Sequence, residues 1–536
     1  MSPERVDVCI VGSGFGGSVT AWRLAELYRA AGADPGRVLV LERGEHLRTG
    51  DLEQSMHIEH LSRIYQLIQG QGAQMVTGRA VGGGSLVYLA ASLRAPTETF
   101  ERRDRRPGDG PPRRLWPAAI SRATLDPYYR RAERALRVVP TRWRDVSYSG
   151  GVWARTLHRA GHSCDTVPLA ISRRRCRNVK WCHTGCVFGA KNTVGATYLG
   201  AAMAAGVRLR ASAPVELVRQ TSARPWRYVV RLRDGSEIEC KVLVLAAGAM
   251  GTAPVLLRSR PFLPSLPEQV GRHLGVNGDH VMAVEVDQRK VREKLGLPGY
   301  PGFHLGRPIT TMTYDFFAGR PGAAHDGTRF TLQEIFLSTL TNFLYDDGRE
   351  PAGGASWFGR QKKDAIAHWR DRFELLAMVE DTHDGEFLLP SPRGSALEPN
   401  DGAVAVGTFS YALSDQSIRV REAADGAVRD IVRRTGIGRF LGLTQTDGAY
   451  AAHPLGGCRM GDDPDLSATD EHGALRGHEG LFCIDGSIVP TSLGVNPSLT
   501  IAAVAERCAE HLVAQGADLG LPVARVQPGL PAMVAA

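Results

Sequence analysis

At 536 residues the chain is too long for one hydrophobic core, so roughly two or three domains are expected. Its 43% hydrophobic content marks a globular chain and excludes a disordered one. The net charge of +9 would suit an acidic partner, but the Arg-rich stretches 102–114 and 173–175 are short and lack interleaved aromatics, so a solvated basic face is expected and no nucleic acid.

No run reaches the ~18 to 20 apolar residues of a membrane helix, which leaves at most transient contact with a membrane surface. Only Met1 to Arg5 precede the first apolar strand, so a cleavable leader has no room and a cytoplasmic location is expected. Nine cysteines, an odd number scattered along the chain, argue against a disulfide framework.

The first predicted strand, Val6 to Val11, runs into Gly12-Ser13-Gly14-Phe15-Gly16-Gly17 and an amphipathic helix carrying Val19, Trp22 and Ala25. A second strand, Val38 to Leu41, ends on Glu42, 25 positions after Gly17. This order is that of a dinucleotide-binding βαβ unit. Gly12 permits the tight turn, Gly14 lets backbone approach a pyrophosphate, and Gly17 lets the helix pack closely. The helix N-terminus offers free N–H groups to phosphate, and Glu42 would accept bonds from a ribose hydroxyl.

Further along, Gly82-Gly83-Gly84-Ser85 is a loop almost without side-chain bulk, able to pass close to a flat ring or a phosphate. Cys176, Cys182 and Cys186 cluster at a spacing that matches no common iron-sulfur or zinc pattern, so a packed loop without metal is expected. Val242 to Leu245, ending at Gly248, is another continuous apolar run of the kind buried on both faces of a parallel sheet.

Glu334 lies inside the apolar segment Thr331 to Phe336, either turned to solvent or buried with a raised pKa as a proton-transfer group; period alone favours solvent. His453 is held on a constrained turn between Ala452 and Pro454, where a histidine is either bonded to backbone or placed to take a proton. The strand-like run Gly480 to Asp485 ends at Gly486, and Asn496-Pro497 opens the apolar-periodic helix 498–512 as an N-cap followed by proline would.

Together these blocks resemble the glucose-methanol-choline (GMC) family of flavin oxidoreductases, and within it the bacterial cholesterol oxidase branch. The resemblance rests on Gly12 to Gly17 with Glu42, on Gly78 to Val87, on Gly189 to Thr193 with Tyr198-Leu199, on Ala246 to Thr252, on His453 to Gly457, and on Asp485 to Ser487 with Gly494 to Pro497. It implies an α/β fold: a Rossmann-like FAD-binding domain with a discontinuous α+β substrate domain built on a mostly antiparallel sheet. The expected division is 1–94, 186–284 and 446–515 for the FAD-binding domain and 95–185 and 285–445 for the substrate-binding domain, with 516–536 a disordered tail.

The resemblance further implies non-covalent FAD held by Gly12, Gly14, Phe15, Gly17, Glu42, Gly82, Gly83, Gly84, Ser85, Val215, Gly248, Asp485, Gly486, Asn496 and Pro497. His453 and Asn496 would hold the substrate alcohol, and Glu334 would shuttle a proton if the product is isomerised. The implied activity is hydride transfer from a bulky apolar secondary alcohol, such as a 3β-hydroxysteroid of steroid metabolism, with oxygen as acceptor. A dehydrogenase using another acceptor and a non-redox lyase of the same fold are the alternatives. Where the branch often carries Asn after the glycine loop, this chain reads Tyr88-Leu89-Ala90-Ala91.

Overall fold

Apolar strands without polar alternation need cover on both faces. Strand Glu4–Val11 has that cover: it lies parallel to Val38–Leu41 on one side and to Glu237–Leu245 on the other. The structure, a computed structural model, describes residues 3–104, 112–298, 303, 305–317, 328–336, 371–388, 404–442 and 449–523. The sheet reaches seven strands, adding Arg208–Arg210 beyond Val38–Leu41, the antiparallel pair Tyr228–Leu232 and Val215–Gln220, and Leu481–Cys483 parallel to Glu237–Leu245. Its strands therefore come from early, middle and late parts of the chain.

Helices Phe15–Ala30 and Ser498–Ala514 pack together against this sheet. The buried Glu506 of the second helix clamps the pair, accepting from Arg23 Nε at 2.6 Å and from the Tyr198 hydroxyl at 2.7 Å. Burial and that anion together push the Tyr198 phenol up.

A second, six-stranded sheet is antiparallel, in the order Gly438–Gly442, Asp279–Val286, Arg372–Val379, Phe330–Ile335, Ile309–Thr313, Asp165–Thr166. One face packs Phe330, Leu332, Phe373 and Leu375 under helices Tyr148–Arg159, Gln288–Leu295 and Asp415–Thr435. The other presents Ile335, Leu376, Met378 and Met312 to the core shared with the parallel sheet. Both faces are buried, and all six residues from Phe330 to Ile335 are inaccessible. A third, mixed sheet includes Tyr65–Gln71, Ala73–Gly78 and Ala449–Ala451, and leads the chain into the Gly82 loop and the His453 turn.

The C-terminal tail differs from expectation in its first residues. Leu519 and Leu521 are buried, and Leu521 N–H donates to Gly516 carbonyl at 2.8 Å, so apolar side chains hold a segment that composition alone marks as disordered. The rest of the tail, 524–536, lies outside the described residues, as does much of the expected substrate segment 285–445.

Candidate active site

The turn after the first strand is as tight as its glycines require. Gly12 has φ 105°, and a Cβ there would lie 2.2 Å from the Ala246 carbonyl oxygen. At Gly17 a Cβ would meet the Gly12 carbonyl oxygen at 1.9 Å, the close helix approach expected of the fingerprint. Gly14 differs, because a Cβ there would enter open space, and the same is true at Gly84. Gly83 comes close to this point, since its Cβ would lie 3.0 Å from the Gly14 Cα. The two loops thus form one bare-backbone cradle beside the N-terminus of helix Phe15–Ala30, where free N–H groups favour phosphate.

Glu42 braces that cradle. Its carboxylate accepts from the Ser13 hydroxyl at 2.6 Å, the Ser13 N–H at 3.2 Å and the Gly44 N–H at 2.9 Å, while Gly82 N–H donates to Ser13 Oγ at 3.0 Å. Phe15 packs edge-on to Tyr88, with ring centroids 5.7 Å apart. Ser85 Oγ donates to Gly82 carbonyl at 2.7 Å and accepts from Val194 N–H at 3.0 Å, which fixes the glycine loop. Val215, half-buried, begins the outermost strand of the parallel sheet.

Asp485, at the end of Leu481–Cys483, accepts from Gly248 N–H at 2.7 Å, Thr252 Oγ1 at 2.6 Å and Ser487 N–H at 2.7 Å. Burial nevertheless pushes its carboxyl up. Beside it, Gly486 opens the short turn that carries the buried Ser487. The open space at Gly14 and Gly84, beside free N–H groups of a helix N-terminus, fits a cofactor that carries phosphate.

The chemistry-bearing cluster forms where the antiparallel sheet meets the C-terminal loops. His453 Nδ1 lies 2.7 and 3.0 Å from the two oxygens of Asp279, the first residue of strand Asp279–Val286. Asp279 also accepts the Ala452 N–H at 2.8 Å, so one buried carboxylate sets both the turn and the ring orientation. Because the carboxylate is an acceptor, the proton sits on Nδ1 and the lone pair on Nε2. Asn496 Nδ2 is 3.5 Å from that Nε2, and Asn496 Oδ1 is buried without a partner.

The adjoining loop is held by Asn277, whose Oδ1 accepts from Leu493 N–H at 2.7 Å and whose Nδ2 donates to Val495 carbonyl at 3.0 Å. Sequence reasoning missed both Asp279 and Asn277. The one available signal was a polar pair flanking Gly278 just before an apolar strand.

Two expectations are corrected. Asn496 does not cap the last helix: Pro497 occupies the cap position and its carbonyl accepts the first helical bond, from Ile501 N–H at 2.9 Å. The amide is thereby left free to face His453. Glu334 does not join this cluster either. It shares a strand face with Phe330 and Leu332, toward helix Tyr148–Arg159, whereas Thr331 faces the other way and donates to Gly494 carbonyl at 2.7 Å.

Around Glu334 the donors are complete: Lys180 Nζ at 3.3 Å, Ser147 Oγ at 3.2 Å, Thr310 Oγ1 at 3.1 Å, Thr310 N–H at 3.3 Å, and the Ser149 hydroxyl. The pair with Lys180 is wholly inaccessible. Both oxygens of the carboxylate are thus engaged by the protein's own donors.

Cys176, Cys182 and Cys186 line a small, partly open pocket of about 20 Å³ with Lys180 and Lys191, and burial pushes the Cys182 thiol up to about 12. Among the described residues no group of three or more His, Cys, Asp or Glu side chains is arranged to hold a metal, and no helix is long and apolar enough to cross a membrane.

Two GMC oxidoreductase family models match the chain, one over residues 6–274 and one over 405–505. A cholesterol oxidase from Mycobacterium tuberculosis is 28% identical, the match covering 95% of this chain and 91% of the relative. A paromamine 6'-oxidase from Streptomyces fradiae is likewise 28% identical, over 95% of this chain and 91% of its own. Among solved structures, the pyridoxine 4-oxidase from Mesorbium loti has a TM-score of 0.61 at 16% identity, covering 94% of this chain and 99% of its own, and so shares the fold.

Proposed function

The chain belongs to the GMC oxidoreductase family, an FAD-dependent group of enzymes acting on CH–OH groups, and from that premise we propose that it oxidises a bulky apolar secondary alcohol, such as a 3β-hydroxysteroid, with oxygen as the final acceptor. The observation that carries the reading is the His453–Asp279 pair with Asn496 beside it. The cholesterol oxidase relative and the apolar sheet face of Met312, Leu376 and Met378 support the substrate class.

The cradle of Gly12, Gly14, Gly17 and Gly83, with Glu42 and Asp485 behind it, would hold FAD. When bound, FAD supplies the acceptor for the hydride that leaves the carbinol carbon. The protein's own residues do the rest. With Nδ1–H donating to Asp279, the neutral ring of His453 presents its lone pair at Nε2, which accepts the hydroxyl proton of the alcohol. The buried Asp279 carboxylate then stabilises the imidazolium that forms. Asn496 donates from Nδ2 to the same alcohol oxygen and fixes the rotamer about the carbinol bond. Glu334 takes no part, so this reading includes no isomerisation base on that strand.

Anaerobic mixing of the purified yellow protein with cholesterol, other 3β-hydroxysteroids and simple alcohols tests the proposal. Bleaching of flavin absorbance by the steroids, and peroxide on readmitting air, is the expected result. Bleaching by other alcohols alone overturns the steroid class, and no bleaching by any alcohol overturns the mechanism.

A further inference from the structure

On the sheet face that carries Asp279, one more polar side chain is buried and incompletely bonded. Gln333 is fully inaccessible, and its Oε1 has no hydrogen-bond partner. Strand pairing fixes where it stands. Gln333 is opposite Leu376 on one side and Met312 on the other, and Leu376 is in turn opposite Val281. Directly paired residues project to the same side of a sheet. Gln333 therefore faces the same side as Asp279, Met378 and Thr331, one row further along.

The amide's orientation follows from its neighbour. Thr331 Oγ1 spends its one proton on Gly494 carbonyl at 2.7 Å, so it offers only lone pairs to Gln333, whose Nε2 lies 3.5 Å away. The N–H end of the amide thus points at Thr331. The carbonyl oxygen points away, an acceptor in a dry site among Met312, Leu376 and Val281. Such an acceptor costs free energy unless a donor arrives.

We propose that Gln333 is a specificity residue that accepts a hydrogen bond from a second donor on the substrate, a hydroxyl remote from the carbinol being oxidised. The inference rests on the alcohol-oxidising reading of His453 and Asn496 and sharpens its substrate class. Asp279 and Gln333 are two strands and two residues apart, so their Cα atoms are about 12 Å apart at ordinary strand spacings. The second hydroxyl therefore belongs several bonds from the first, across an apolar scaffold that fits the methionine and leucine side chains between them. A mono-alcohol would leave Gln333 Oε1 unpaired.

The test compares the parent with Q333M, an apolar replacement of similar length, on two substrate pairs. One is androst-5-en-3β-ol against androst-5-ene-3β,17β-diol; the other is decan-1-ol against decane-1,10-diol. The parent should favour the diol of the pair it oxidises by roughly tenfold or more in kcat/KM, the scale of leaving one buried acceptor unpaired. In Q333M that preference should vanish, with FAD content retained. A second readout needs no turnover: the melting temperature of substrate-free Q333M should equal or exceed that of the parent, because an unpaired buried carbonyl has been removed.

Failure of both steroids to bleach the flavin defeats the steroid reading, and the straight-chain pair then decides on Gln333. A parent without diol preference in either pair, a preference that survives in Q333M, or a Q333M protein that melts well below the parent overturns the assignment.

Discussion

Asp279 and Glu334 are both buried carboxylates in one antiparallel sheet, and they face opposite ways. On the helix-covered side, Glu334 is met by an ammonium, three hydroxyls and a backbone N–H. On the other side, Asp279 orients His453, and two polar atoms are left short: Asn496 Oδ1 beside that ring and Gln333 Oε1 two strands away have no partner. The donor set of Glu334 is complete, as suits a cluster that holds a sheet to a helix, whereas the atoms left short on the other side are those a ligand would complete under the function proposed above. Burial alone cannot separate the two, because both carboxylates have almost no accessible surface.

The comparison breaks most visibly if the Glu334 cluster is cut. Lys180→Met leaves a buried carboxylate without its counter-charge, a loss on the order of 3–5 kcal/mol. Urea unfolding should show that loss, and the double variant K180M/E334Q should recover part of it. The native fraction of either protein should still be bleached by substrate as the parent is. A selective loss of flavin reduction in fully folded K180M would mean that Glu334 acts in the reaction after all.

On the opposite side, His453→Ala should spare folding and FAD content while slowing anaerobic flavin reduction by roughly two orders of magnitude or more, the scale of a lost acid–base group. Reduction at the parent rate would leave His453 a structural turn residue. Asp279→Asn should cost less. Its amide oxygen can still accept from Nδ1, but the charge that stabilises imidazolium is gone, so a slowing of about tenfold to a hundredfold is expected, with restoration by Asp279→Glu only if the longer side chain reaches the ring. Stopped-flow absorbance checks each.

The parallel sheet and its glycine turn were legible because several local constraints coincide there: a continuous apolar run, a positive-φ glycine and an acidic strand end. His453 and Asn496 were legible as motif residues, though the cap role assigned to Asn496 from the Asn-Pro pair was displaced by one position. The direction of Glu334 could not be read. Alternation tells two strand faces apart only when one is wet, and from Phe330 to Ile335 both are buried. A frame break in the neighbouring strand, between Ile309 and Met312, further hides which row faces which partner. Asp279 was invisible for another reason: its partner lies 174 residues away, and an acid after a glycine has no local signature of catalysis.

A separate test concerns two buried histidines whose ring nitrogens are left short. His183 and His383 have both ring nitrogens buried and unpartnered, and burial holds each pKa down to about 4. Asp381, 3.9 Å from His383 Nε2, pulls the other way but is itself engaged by the Tyr411 hydroxyl at 2.5 Å, and Arg102 and Arg459 oppose protonation. In the unfolded chain both histidines protonate near pH 6.5.

Between pH 6.5 and 4 the unfolded state therefore binds up to two protons that the native state refuses, and stability falls as pH falls, on the order of 3 kcal/mol per histidine by pH 4. Melting temperature recorded from pH 7 to 4.5 should decline accordingly. His383→Asn, which suits the residue's φ of 53° and cannot titrate, should flatten part of that decline relative to its own value at pH 7. An unchanged slope in H383N would mean that the ring is protonated in the native protein and bonded to Asp381, and that an unpaired polar group in this fold cannot by itself be taken to mark either a neutral histidine or a waiting ligand.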